Sequence, residues 1–299
     1  MIISEHSYLD DALKQKVLTL VQVAQDYDMQ SPLSEHVLLH LKHGGDTHSR
    51  HLVGIENNEV IGYVHLDLTD EVAGPSAQVV VHPEFRNLGY GKQLLEGSLS
   101  VAGKKLRLWS HGENTLARNL ARSVGMKEVR TLFQMRRSLL SAIESASFSS
   151  DYQLSTFNFE RDADEWIRAN SQIFIAHPEQ GSWTMRDFEI RMKEDWFDPV
   201  GFFILRSNAQ IAGFGWTKVH RHSHSENHSP LGEIYVLGVM PEHRGKSLGK
   251  SLTLHCLTYL RSLELLEAML YVNKEDATAV ALYESCGFRI WDIDTLYSF

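Results

Sequence analysis

The sequence predicts an α+β protein made of two tandem domains of one design, each a mixed, mostly antiparallel sheet flanked by helices. Three observations predict it. A chain of 299 residues suits two domains of about 150 residues each. The decamers PEFRNLGYGK, from Pro83, and PEHRGKSLGK, from Pro241, share Pro-Glu-x-Arg at one end and Gly-Lys at the other, 158 residues apart (241 − 83). The same order of strand, turn and helix signals surrounds both. Gly125 and Gly287, near the far ends of the two units, are 162 apart (287 − 125), so the offset grows by only four residues. Such a constant offset indicates duplication of a domain-sized unit rather than a short solenoid repeat.

Each element has its own signal. Leu13, Val17, Leu20, Val21 and Ala24 recur at helical spacing near the start of the chain. HLVGIENNEVIGYVHLDL reads as strand, turn at Asn57-Asn58, strand; GFFILRSNAQIAGFGWTKV reads the same way with a turn near Ser207-Asn208. A polar loop follows each hairpin, then a β-rich run (AQVVVH, GEIYVLGVM), then the decamer, then a helix. Each half continues with a strand (KLRLWS, EAMLYV), a helix, and a glycine-led end, SVGMKEV or SCGFRIW. The Ser-rich stretch over 138–152 has little periodicity and reads as a linker, giving domains at 1–140 and 150–299.

Composition narrows the function classes. Hydrophobic residues make up 43% and charged residues 22%, ordinary values for a globular protein with two cores. A formal net charge of −9 argues against nucleic acid or an anionic membrane as partner, since both favour basic surfaces. It leaves room for a small anionic ligand, which needs only local donors. Cys256 and Cys286 have no metal-ligand spacing around them and read as small apolar residues in a reducing compartment. The start of the chain lacks a basic region followed by an apolar stretch, and no apolar run nears the roughly 20 residues that span a bilayer. The expected location is cytoplasmic.

The decamers carry the first chemical signal. Arg86, Gly89 and Gly91 fit R-x-x-G-x-G between a strand and a helix. Glycines there allow close backbone approach, and the open amides of a helix start can hold a phosphate or pyrophosphate. Lys92 and Lys250 add charge at that end. A plain glycine-rich turn is the alternative, and two copies in one context favour anion binding over it. No Gly-Lys-Ser/Thr follows four spacer residues, and no series of βαβ units is present, so neither a Walker loop nor a dinucleotide fingerprint fits.

R-x-x-G-x-G resembles the coenzyme A pyrophosphate loop of the GNAT acyltransferase superfamily. Asn114-Thr-Leu-Ala117 and, altered, Asp276-Ala-Thr-Ala279 resemble its later Asn-x-x-Ala segment. The second copy departs from the pattern: Ser247 stands for the first glycine and Asp276 for asparagine. Amide formation from a thioester also needs a group to take the amine's proton and one to protonate the leaving thiolate. Glu233, ahead of IYVLGV, and Tyr283, on the last helix, can do both. In the fixed register Glu233 falls on Pro75 and Tyr283 on Ala121, so one reaction centre is expected, in the second half.

HPEQGSWT, WFDPVGFF, GFGWTKVH, GEIYVLGVMPEHRGKSLGKSLT and ALYESCGF are similar to the mycothiol synthase family, tandem GNAT enzymes. The similarity is densest over 170–299 and thinner over 1–140, where SPLSEH and the decamer carry it. It implies an N-acetyltransferase that moves acetyl from acetyl-CoA to the cysteinyl amine of desacetylmycothiol, the last step of mycothiol biosynthesis. It implies Glu233 as general base and Tyr283 as general acid. Glu35, Glu179, Lys218, Glu233 and Tyr271 match positions that contact the acceptor. Coenzyme positions in the first half are Val79, Val80, Val81, Asn87, Leu88, Gly89, Tyr90, Gly91 and Lys92. Those in the second are Leu237, Gly238 and Val239; Arg244, Gly245, Lys246, Ser247, Leu248, Gly249 and Lys250; then Asp276, Ala277, Thr278, Ala279, Val280 and Ala281. Another small amine as acceptor, or a non-enzymatic coenzyme A-binding module, are the alternatives. The histidines of VHRHSHSENH read as a polar loop, with no metal required by thioester aminolysis, and Trp166, Trp183 and Trp196 read as core.

Overall fold

The computed structural model describes residues 1–43, 49–68, 74–112, 114–175, 177, 180–220 and 230–299. The chain forms two compact units, Met1–Leu132 with Asp292–Phe299, and Phe133–Trp291. The first unit contains β1 (Ile2–His6), α1 (Asp11–Asp28), α2 (Glu35–His43), β2 (Ser49–Glu56), β3 (Glu59–Asp67), β4 (Ser76–Val81), α3 (Tyr90–Ala102), β5 (Arg107–Ser110) and α4 (Thr115–Ser123). β6 (Lys127–Ser138) crosses the boundary between the units. The second contains β7 (Gln153–Thr156), α5 (Phe159–Ile173), α6 (Met185–Met192), β8 (Phe202–Ser207), β9 (Gln210–His220), β10 (Leu231–Val239), α7 (Leu248–Ser262), β11 (Glu267–Asn273) and α8 (Ala277–Ser285). β12 (Arg289–Ser298) begins in the second unit and ends in the first.

In the first unit the strands run in the order β1-β2-β3-β4-β5-β12. Neighbours are antiparallel except β4 and β5, and the end of β12 closes the edge through Thr295, Leu296 and Tyr297 against Ser110, Trp109 and Leu108. The sixth strand of this sheet therefore comes from the far end of the chain. In the second unit β11-β10-β9-β8-β7 are antiparallel except β10 and β11.

Local chemistry explains the elements. Asp10 caps α1 by accepting from the Leu13 amide at 2.8 Å, and the apolar stripe of that helix is the predicted one. The first hairpin turns on Asn57 and Asn58 at φ 48° and 68°, as two-residue hairpin turns require. The second turns on Asn208 and Ala209 at φ 49° and 66°, one residue later than its sequence suggested. Thr184 and Asp187 form a reciprocal capping box at the start of α6.

The sheet of the second unit has two different faces. On one, Ile234, Ala268 and Leu270 pack with Cys256, Leu257 and Leu260 of α7, joined by Phe288. On the other, Phe202, Phe214 and Trp216 meet Trp166 of α5 and Phe188 of α6. Phe202 and Trp216 are cross-strand partners stacked at 4.7 Å, a pairing worth about 0.5–1.5 kcal/mol beyond its buried area. Trp166 and Trp183 are buried and Trp196 packs beside them, as core aromatics should. Cys256 and Cys286 are buried free thiols, and burial is the main reason both titrate above the ordinary thiol range.

One irregularity changes the comparison between the halves. β10 pairs with β9 through a bulge between Ile234 and Val236, whereas β4 follows β3 from Gly62–Val81 to Asp67–Ser76 without a shift. The bulge puts one extra residue into β10. Lys218 lies opposite Glu233, and the corresponding pair in the first unit is Asp67 and Ser76. The counterpart of Glu233 is therefore Ser76 rather than Pro75. A serine hydroxyl is no proton acceptor at neutral pH, so the first unit has no counterpart of the candidate base. Ala121 is fully buried in the first unit's core.

Candidate active site

A fork between two parallel strands opens the site. β10 and β11 are in register at Gly232–Ala268 and Glu233–Met269, while β9 accompanies β10 as far as Val239. Leu237, Gly238 and Val239 lie beyond the paired part, where the backbone edge facing β11 can take an extended ligand. β4 and β5 make the same fork: they pair over Ser76, Ala77 and Gln78, leaving Val79, Val80 and Val81 beyond. Gly238 is glycine for packing reasons, since a Cβ there would come 3.0 Å from Ile173 Cγ2 of α5.

The decamers fold into one device twice. Each begins with a 3₁₀ turn, Pro83–Phe85 or Pro241–His243. The arginine then turns back on its own strand: Arg86 Nε donates to the Val81 carbonyl at 3.1 Å, and Arg244 Nε to that of Val239 at 3.3 Å. Two left-handed residues follow, Asn87 and Gly89 at φ 62° and 85°, or Gly245 and Ser247 at φ 76° and 58°. Glycine fills the second position in one copy and the first in the other. Gly89 and Ser247 cap α3 and α7 without any side-chain hydrogen bond. The first-turn amides, those of Tyr90, Gly91 and Lys92 or Leu248, Gly249 and Lys250, thus stay available to an anion. A Cβ on Gly89 or Gly245 would meet nothing within 4 Å, so space stands open over these turns. Gly91 and Gly249 serve packing instead: a Cβ would lie 3.4 Å from Leu120 of α4 and 2.9 Å from Leu282 of α8.

The remaining loop residues divide by exposure and partner. Leu88 is exposed and Leu248 buried. Lys92 lies 3.8 Å from Glu96, Lys250 pairs with Glu144 at 2.8 Å, and Lys246 Nζ donates to the Tyr152 hydroxyl at 3.3 Å. Asn114 and Asp276 are N-caps, accepting from Ala117 and Ala279 at 3.0 and 2.9 Å. The Asn-x-x-Ala segment is thus first of all the start of a helix. Asp276, Ala277, Thr278 and Ala281 are exposed, while Ala279 and Val280 turn to the core.

The candidate acid–base groups flank the β10/β11 fork. Glu233 is 5% exposed, on the sheet face that carries the aromatic cluster. Its Oε2 lies 2.7 Å from His220 Nε2. Burial alone pushes its carboxyl up; the His220 hydrogen bond, the His220 charge and the Lys218 charge outweigh this and hold it below the usual carboxylate range. Lys218 is itself buried, with Nζ 4.6 Å from the ring centre of Trp196 and 5.4 Å from that of Tyr235. Arg191 steadies that cage from α6 by donating Nε to the Tyr235 hydroxyl at 2.8 Å. Tyr271 follows Met269 by two residues on β11, so it shares the face of Glu233. It is 39% exposed, and its hydroxyl accepts from Gln134 Nε2 at 2.8 Å.

Tyr283 stands on α8, which packs on β11, with its ring edge-on to Phe288 at 6.0 Å. Among the described residues its hydroxyl holds no hydrogen bond, and it is not one of the sealed polar atoms, so it is open to a ligand. Burial of the ring, then the Asp276 carboxylate, push its phenol well above the ordinary range, so the proton stays on at neutral pH. The second unit thus brings together Lys218, Glu233 and Tyr271 on one face, with Tyr283 beside the fork. Glu35 opens α2 in the first unit and is half-buried. Glu179, like His222, His224 and His228, lies outside the described residues. His220, Trp196 and Tyr235 were not singled out as site residues from sequence. The available signal was alternation: Lys218 and His220 share one face of a strand.

The profile of the Acetyltransferase (GNAT) family matches residues 18–126 and 161–288. The mycothiol acetyltransferase of Acidothermus cellulolyticus is 45% identical over 306 residues, covering 99% of this chain and 94% of the relative. That of Streptosporangium roseum is 39% identical, covering 97% and 96%. Among solved structures, a tandem GNAT protein from the clavulanic acid biosynthesis pathway superposes with TM-score 0.73 at 17% identity, covering 99% of this chain and 97% of that one. A GCN5-related N-acetyltransferase from Sphaerobacter thermophilus gives 0.68 at 19%, covering 99% and 94%, and both likenesses speak to the fold alone. A duplicated fork and loop, a family match in each half and relatives at 39–45% identity along nearly the whole length lead to one conclusion: the chain belongs to the GNAT acetyltransferase family, in its tandem mycothiol acetyltransferase branch.

Proposed function

We propose that the protein transfers acetyl from acetyl-CoA to the cysteinyl amine of desacetylmycothiol, completing mycothiol synthesis in the cytoplasm, with the second unit as reaction centre. The observation that carries this reading is the buried Glu233, flanked by Lys218 and His220, at the mouth of a strand fork that leads to an uncapped helix start. The open turn at Gly245 and the free amides of α7 suit a pyrophosphate, and the edge of Leu237–Val239 suits the extended arm behind it. Acetyl-CoA supplies the thioester.

An amine that arrives as ammonium leaves as an amide nitrogen, two protons poorer. One proton goes to the Glu233 carboxylate and on to solvent. Nitrogen then bonds to the acyl carbon and the carbon–sulfur bond breaks. Tyr283 gives its proton to the sulfur as negative charge develops there, and the nitrogen's second proton restores the phenol. Tyr271, bonded to Gln134, and the buried Lys218 stand on the face of Glu233, where the acceptor would lie. The first unit has the better-formed loop and no base, so it holds coenzyme without reacting it.

The test is the purified protein with acetyl-CoA and desacetylmycothiol, followed by thiol release and product mass. Stoichiometric thiol with an N-acetylated product is expected. Folded protein that yields no acetylated product overturns the reading. Turnover of a different amine from a panel would redirect the acceptor, and coenzyme binding without any turnover would make the chain a binding module.

A further inference from the structure

His220 closes β9, and its ring makes the one hydrogen bond to the Glu233 side chain found among the described residues, Nε2 to Oε2 at 2.7 Å. The contact is diagonal across the sheet, since the register sets Lys218 opposite Glu233 and Leu231 opposite His220. The carboxylate side chain is 7% exposed and the imidazole 29%, so the ring joins a buried charge to solvent. The other titratable or charged groups on this side are Lys218 on β9, Tyr235 on β10, Tyr271 on β11 and Arg191 on α6. Lys218 is held over the rings of Trp196 and Tyr235, Arg191 donates to Tyr235, and Tyr271 is bonded to Gln134. Each of these has another partner, and Glu233 Oε1 is left open among the described residues.

We propose that His220 is a positioning residue for acyl transfer, donating Nε2–H to Oε2 of Glu233 and so presenting Oε1 to the acceptor amine. The proposal rests on the reading of Glu233 as base. A buried carboxylate can rotate about its last bond, and a hydrogen bond on one oxygen fixes the direction of the other. The imidazole stays neutral while only Nε2 carries a proton. Protonation of Nδ1 makes it a cation, and a carboxylate beside a new cation accepts a proton less readily. Activity should therefore fall on the acid side if the ring takes a second proton there.

Two variants and two readouts test this. His220→Ala removes the hydrogen bond; His220→Gln keeps an N–H donor that does not titrate. At pH 8 the Ala variant should lose about tenfold or more in kcat, less than deletion of a proton-transfer group costs, with the KM for acetyl-CoA unchanged. The Gln variant should recover most of that loss and show an acid limb of kcat/KM displaced to lower pH. A wild-type rate and profile in the Ala variant overturns the proposal, as does an equal loss in both variants with an unmoved acid limb. The second readout needs no acceptor: the carboxyl carbon of Glu233, followed by ¹³C NMR, should titrate at higher pH in the Ala variant than in the wild type. An identical midpoint overturns the pairing. If the wild type fails to acetylate desacetylmycothiol, the functional reading falls, and the carbon titration still decides the pairing.

Discussion

At the scale of single residues, the proposed chemistry rests on two groups whose environments push them in opposite directions. Glu233 is held ionised by His220 and Lys218 against the cost of burial, and Tyr283 is held protonated by burial and by Asp276. Separated in this way, one is ready to take a proton and the other to give one at the same pH. Glu233→Gln and Tyr283→Phe should each lower kcat by about 10²–10⁴-fold while calorimetry shows acetyl-CoA bound as in the wild type. A wild-type rate across the pH range in either variant removes that residue from the mechanism. Glu233 and Tyr283 were candidates in the sequence because one lies on the strand leading into the decamer and the other four residues after Ala279. His220 was not, since its meaning comes from a cross-strand contact that no linear spacing shows. Nor was the match of Glu233 to Ser76, because a bulge adds a residue to β10 without leaving a composition signal.

At the scale of elements, the strand–turn–helix device was read correctly as a unit and only partly in its details. The sequence suggests that both glycines serve ligand approach. In the fold the first stands in open space, and the second lets α3 meet α4, or α7 meet α8. Ser247 reads as a defect in the second copy, yet it adopts the left-handed turn at φ 58° that glycine holds in the first. A side chain in that region costs about 1–2 kcal/mol. Ser247→Gly should therefore raise stability by about 1 kcal/mol in denaturant melts and leave turnover at least as high. A loss of stability would mean that the serine side chain contributes more than its backbone strain costs. In the first unit, a bulky residue at Gly89 should weaken coenzyme binding there and spare turnover, since the proposed base and acid both lie in the second.

At the scale of the whole molecule, the internal duplication was visible from two decamers, and the α+β design of each half followed from strand and helix periodicities. What periodicity could not show is which sheet a strand enters. The end of β12 belongs to the first unit, with Leu296 and Tyr297 buried and paired to β5. Removing residues 292–299 should therefore destabilise the first unit rather than the second. Amide exchange followed by mass spectrometry would show faster exchange in β4 and β5 of the shortened protein and little change in α5 or β9. The reverse pattern would mean that the strand supports the unit it starts from.

The same closing strand sets an order on synthesis. Residues 292–299 leave the ribosome after all of the second unit, so the first half of the nascent chain waits with the edge of β5 unpaired while more than a hundred residues are added. An open strand edge is a template for pairing with other chains. A gene cut at the linker would make that wait permanent, and a fragment ending there should aggregate unless a peptide spanning 289–299 is supplied in trans.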